Sequence, residues 1–159
     1  MFGETRINKM NERTKFYIQP YIGTNAIRFG MTPAEVAQLL GPSETESTNH
    51  QGKAVEFRSF MNVAYSDKMQ VDHIGFGRQM QEIYLEEINI FSDESRSVLR
   101  KLISLDHEVF LYFGFLFFFK LGISLTGFHD NDENNKALAL FTRGHWDSRK
   151  PKMRPFMLS

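Results

Sequence analysis

From Thr32 onward the apolar residues of this chain change period three times, and each change marks a passage between helix and strand. From Thr32 to Leu40, Val36, Leu39 and Leu40 share one helical face. The punctuation around them is complete. Thr32 serves as N-cap, Pro33 takes the first helical position, Glu35 completes a capping box, and Gly41-Pro42 stops the helix. From Ala54 to Phe91 the period falls to two, so Val55 to Arg58, Val63 to Tyr65, Val71 to Phe76 and Ile83 to Ile90 read as half-buried strands. Turns at Ser66 to Met69 and Gln79 to Gln81 lead to an antiparallel meander of sequence neighbours. A second helix is expected over Ser92 to Leu105, capped by Ser92, with Asp93 and Glu94 near the positive end of its dipole and Val98, Leu99, Leu102 and Ile103 as its apolar stripe. A second meander follows as Val109 to Phe113, Leu116 to Phe119, Gly122 to Thr126 and Ala137 to Phe141. No charge falls between Glu108 and Lys120, so the first of these strands belong inside a sheet, where their apolar edges are covered.

Phe16 to Pro20 reads as a short strand, which Pro20 places at an edge or a terminus. The stretch before it, to about Arg13, lacks a periodic apolar face and is expected to fray or form a short helix. Met61 to Phe76 (MNVAYSDKMQVDHIGF) is echoed by Gly114 to Phe128 (GFLFFFKLGISLTGF), each copy following a helical segment. The expected architecture is a single α+β domain over residues 1–159, with pseudo-repeats at about 25–91 and 92–144 and a basic tail over 145–159. Its strands would form one curved antiparallel sheet with two helices packed on one face, leaving the other face or an acidic rim open to a partner.

Composition narrows the class. A chain of 159 residues buries roughly 68 to 70% of its unfolded surface. Sixteen Phe against one Trp foretell an aromatic core. The absence of cysteine excludes disulfides and thiolate metal sites and, with no apolar leader in the first fifteen residues, points to the cytoplasm. Val109 to Phe119 is the most apolar run, shorter than the roughly 20 residues of a spanning helix. Net charge is zero, but Phe16 to Thr142 holds ten Lys/Arg and sixteen Asp/Glu, while Arg143 to Ser159 holds five bases and one acid. An acidic body disfavours nucleic acid as a partner and tolerates a basic protein.

Known chemical motifs find little support. The five histidines are scattered with no pair at metal-ligand spacing, and no metal or cofactor is expected. Asp130 to Asn134 resembles the start of a calcium loop, but Asn135 stands where glycine is required and Phe141 where a bidentate glutamate is required. His145 and Asp147 could be drawn as a base with its orienting acid, although spacing of two beside a tail is weak ground, and no catalytic residue is assigned. One exposed feature has a direction. Glu82, Glu86, Glu87, Asp93 and Glu94 gather where the first meander gives way to the second helix, outward-facing if Tyr84 and Ile88 point in. They read either as solvated and dipole-complementing acids or as an electrostatic docking patch for a basic partner.

The segment Ile27-Arg28-Phe29-Gly30-Met31-Thr32-Pro33, continuing through Val36 to Leu39-Leu40-Gly41-Pro42, resembles the signature of the BamE/SmpA-like module: strand, Gly-Met-Thr, short helix and Leu-Gly-Pro before a meander. About sixteen residues carry the likeness. Similar segments occur in small bacterial proteins that look like immunity proteins of interbacterial toxin systems. The resemblance implies a non-enzymatic scaffold that binds another protein, most concretely a cytoplasmic immunity protein occluding the active site of a cognate toxin. The outer-membrane role of the family's lipoproteins is not implied, because the cysteine that anchors them is missing. Two alternatives stand beside this reading: a small-ligand site or enzyme using an aromatic pocket between helices and sheet, and nucleic-acid binding through Arg149, Lys150, Lys152 and Arg154.

Overall fold

The structure is a computed structural model and describes residues 10–158. Expectations for the first nine residues lie outside the described part. The elements in chain order are β1 (Phe16–Gln19), β2 (Gly23–Thr24), α1 (Pro33–Leu40), β3 (Thr45–Thr48), β4 (Ala54–Arg58), β5 (Met61–Tyr65), β6 (Val71–Gly77), β7 (Ile83–Leu85) and β8 (Ile88–Asn89). Then come α2 (Ser95–Leu105), β9 (Val109–Tyr112), β10 (Phe115–Phe118), β11 (Ile123–Thr126), β12 (Ala137–Phe141) and β13 (Arg154–Pro155). The protein is α+β with mostly antiparallel strands, and no helix among the described residues is long and apolar enough to cross a membrane.

Helix α1 starts as its punctuation dictates: Thr32 accepts a hydrogen bond from the Glu35 backbone N–H, and the Glu35 carboxylate accepts one from the Thr32 N–H. Gly41 ends it at φ 85°, a left-handed value that favours glycine. Helix α2 departs from expectation. Its cap is Glu94, whose carboxylate accepts from the Arg96 and Ser97 N–H groups, while the Ser92 hydroxyl donates to the Gln81 carbonyl at 2.8 Å. The far end of α2 is held by Asp106, which is fully buried. Its two carboxylate oxygens accept from the backbone N–H groups of Glu108 (2.9 Å), Lys120 (2.8 Å) and Leu121 (3.3 Å), tying the helix end to the β10–β11 turn.

The strands divide into two sheets, not one. A nine-stranded sheet runs β13-β9-β10-β11-β12-β6-β5-β4-β3, and a smaller one runs β2-β1-β7-β8. Each helix is followed by four antiparallel strands, and the two meanders join at their last members, β6 and β12. The sequence echo lies one strand out of step with this arrangement. It equates β5 and β6 with β10 and β11, whereas order about the β6–β12 seam matches them to β11 and β12. After β6 the chain leaves the large sheet, and β7 pairs in parallel with β1, Phe16 opposite Ile83. Strand β1 is therefore interior to its sheet. Pro20 lies beyond its last residue, where no ladder hydrogen bond is lost.

One core joins these parts: Val36 and Leu39 of α1, Val98 and Leu102 of α2, Phe16 and Ile83 of the small sheet, and Ile74, Phe76, Leu138 and Leu140 of the large one. Both helices thus lie on one face of the large sheet. Within this core, Arg58 is 3% exposed, its Nε donating to the Gly41 carbonyl (3.0 Å) and its Nη1 to Glu56 (2.8 Å), while the Tyr65 hydroxyl donates to the same carboxylate (2.7 Å). On the opposite face, Phe117, Phe141 and Met153 form a second, smaller core with Tyr21, Phe119 and Trp146 around it. The segment after β12 closes over this aromatic cluster, with Lys150 Nζ 4.5 Å from the Phe119 ring centre.

Candidate functional site

The rest of that helix-free face is open. Alternation along β6 sends Ile74 and Phe76 into the core and His73, Gly75 and Gly77 to the other side. Register then lines up small residues across the sheet: Asn62 opposite Gly75, Gly75 opposite Ala139, and Ala139 opposite Ser124. The Asn62 carboxamide lies over Gly75 so closely that a Cβ there would meet its atoms at 2.7 to 3.1 Å. Phe57 and Phe60 rise on one side of this low floor and Phe115 on the other, enclosing a cavity of about 380 Å³.

A second cavity, of about 720 Å³, continues from the first through their shared residues Asn62, His73 and Phe115. Its lining is mixed: Lys53, Asp72, His73, Arg143, His145 and Arg149 bring charged and titratable groups to it, beside Val55, Ala64 and a wall at Trp146. The His73 and His145 rings are 5.5 Å apart. Burial pushes the His73 imidazole down to about 4, with the neighbouring His145 adding to the effect, so it is neutral at neutral pH. Burial also lowers the pKa of His145, opposed by the charge of Asp72; the Asp72 carboxyl is raised by its own burial. The carboxylate acting on His145 is therefore Asp72 from β6, while Asp147, two residues along the chain, lines a different cavity beside Tyr21. Arg143 lies 4.0 Å over the Tyr21 ring, whose hydroxyl donates to the Phe119 carbonyl. Among the described residues, no three His, Asp or Glu side chains converge as metal ligands.

The acidic residues have more local work than the sequence reveals. Glu94 caps α2, Asp93 accepts from the Asn89 N–H at 3.1 Å, and Glu82 lies 3.9 Å from Lys15 Nζ. Glu86 and Glu87 are exposed at the β7–β8 turn, beside Lys101 in a shallow cavity of about 400 Å³. Ile88 is buried as expected. Tyr84 does not point inward as expected: β7 turns Ile83 and Leu85 into the core and leaves Tyr84 on the other side, where its ring stacks on Tyr17 at 5.4 Å and its hydroxyl donates to Glu82. The basic tail is folded onto the large sheet rather than trailing from it: Arg149 lines the open face, Lys150 covers Phe119, and Arg154 pairs in β13. The space between helices and sheet, where one alternative reading puts an aromatic pocket, holds the main core, and the two cavities of the helix-free face share their walls on the opposite side. Comparison of the chain with protein-family models, with curated proteins and with solved structures gave no match.

Proposed function

We propose that this chain is a non-enzymatic binding protein whose partner is another protein, and that the partner seats on the helix-free face of the large sheet. The observation that carries this reading is the ring of exposed aromatic side chains on and beside that face: Phe57, Phe60, Phe115 and Phe113, the last 83% exposed. Exposed apolar residues gathered at a concave floor mark interaction surfaces, and aromatic residues supply most of the affinity at such sites. The most concrete form is a cytoplasmic immunity protein that occludes the active site of a cognate toxin, in keeping with the likeness of Gly30-Met31-Thr32 and Leu40-Gly41-Pro42 to protein-binding modules. The acidic body suits a basic toxin such as one that cleaves nucleic acid, and Glu86 and Glu87 would speed the encounter. Co-expression with a toxin whose gene neighbours this one tests the proposal. A stable complex and protection of the host are expected, with both lost in a Phe57→Ser, Phe115→Ser variant that still folds. Neither complex nor protection from the unaltered chain would overturn it.

A further inference from the structure

The two cavities of the helix-free face are the ends of one trench, because Asn62, His73 and Phe115 line both. Its apolar end has a floor at Ala137 and Ala139, bounded by the Asn62 carboxamide that covers Gly75, and aromatic walls at Phe57, Phe60 and Phe115. Such a floor admits a flat or extended apolar body and leaves little room for a branched one. The polar end has the opposite sign to the body around it. Lys53 and Arg149 face a lining that contains a single carboxylate, Asp72, whereas the chain from Phe16 to Thr142 has sixteen acids against ten bases. Lys53 has a partner in Asp67 at 3.6 Å, but the Asp67 side chain is 89% exposed, so that pair is weak and readily exchanged for a better anion. Arg143 also borders this end, but its guanidinium lies over the Tyr21 ring, beside the neighbouring cavity that Asp147 lines.

We infer that this trench is a binding site for a small amphipathic anion, its apolar body over Ala137 and Ala139 between the phenylalanine walls and its acidic head toward Lys53 and Arg149. Apolar contact supplies the area and the cations fix the orientation, which is the division of labour of small-molecule sites. Imidazoles at the junction, His73 and His145, add hydrogen-bonding groups without adding net charge. This site needs no protein partner, so its test is separate from that of the preceding proposal.

Isothermal titration of the full chain near neutral pH with 2-naphthoate and with its neutral counterpart 2-naphthalenemethanol reads both halves of the inference. The acid should bind at least about tenfold more tightly than the alcohol, as a charge-assisted contact predicts. A Lys53→Gln, Arg149→Gln variant, altered at two half-buried positions outside both cores, should bring the acid down to the affinity of the alcohol with little change in the thermal midpoint. Ala139→Phe, which fills the floor, should abolish binding of both. Absence of binding to the unaltered chain, equal affinity for acid and alcohol, or undiminished binding of the acid by either variant would overturn the inference.

Discussion

His73 makes the stability of the fold depend on pH in a way that can be worked out in advance. Its imidazole is shielded on the helix-free face and faces His145, so the folded protein accepts a proton there only near pH 4. An unfolded chain takes up the same proton near pH 6.5. Acid therefore favours the unfolded state. The stability associated with this residue is intact above pH 6.5 and is lost as the pH falls toward 4. At pH 5 the loss comes to about 2 kcal/mol, and over the whole window to about 3 kcal/mol, since each unit of difference is worth about 1.4 kcal/mol. His145 acts in the same direction, while the raised Asp72 carboxyl acts against it as pH rises above the ordinary carboxylate value.

The measurement is a series of urea unfolding curves between pH 7.5 and pH 4.5 for the unaltered protein and for His73→Asn, compared at constant ionic strength. Subtracting one series from the other removes the titration of the other acids. The difference should be close to flat above pH 6.5 and should narrow or change sign toward pH 4.5, as the unaltered protein loses stability that the asparagine variant keeps. Parallel curves across the whole range would show that His73 is hydrated in the folded state and would refute the reasoning.

Three further outcomes follow from other parts of the fold. Arg58→Met strands the Glu56 carboxylate beside Tyr65 and should cost about 3–5 kcal/mol in urea unfolding, whereas a paired Glu56→Leu, Arg58→Met variant should recover most of it; a cost under about 1 kcal/mol for the single change would contradict the buried pair. Thr32→Ala removes one partner of the capping box and should lower stability by about 1 kcal/mol, with helix α1 exchanging its amide protons faster. Asp106→Asn leaves one acceptor oxygen where three N–H groups converge on two, and should cost about 2–3 kcal/mol by chemical denaturation, with no loss if those N–H groups are satisfied otherwise.

Features set by neighbours in the chain were legible in the sequence. The capping box and stop of α1, the buried Val98, Leu99 and Leu102 of α2 and the bounds of β9 to β12 all depend on contacts within a few residues, and the strands fall within one residue of where the pattern puts them. What the pattern could not convey is pairing over distance. The parallel contact of Phe16 with Ile83 splits off a second sheet, and nothing local in either segment announces it. The same limit hid the carboxylate beside His145: Asp147 is near in sequence, but Asp72 is near in space, because β6 and the segment after β12 lie side by side. Asp106 left no signal at all, since a lone acid at a helix end looks like any solvated side chain until the two turns it bridges are known.

The trench is hidden for a related reason, and its composition argues for function. Gly75 and Gly77 of β6 are held small by the Asn62 and Gln79 side chains that pack against them, but Ala137 and Ala139 occupy β12, at the seam between the two meanders, where β-branched residues would stabilise a sheet better. On a face that served stability alone, such residues would be replaced. Ala139→Val tests this directly, since its neighbours across the sheet are Gly75 and Ser124 and leave space for two more methyl groups. The substitution should raise stability by roughly 0.5–1 kcal/mol and shift the melting midpoint upward by a few degrees. It should also weaken binding of 2-naphthoate, because the added methyl groups stand where the apolar body lies. A gain in stability with a loss of binding is the signature of a floor kept low at the expense of the fold. A loss of stability would mean instead that Asn62 and the small residues beneath it are already close-packed, and that the low floor is a demand of the sheet itself.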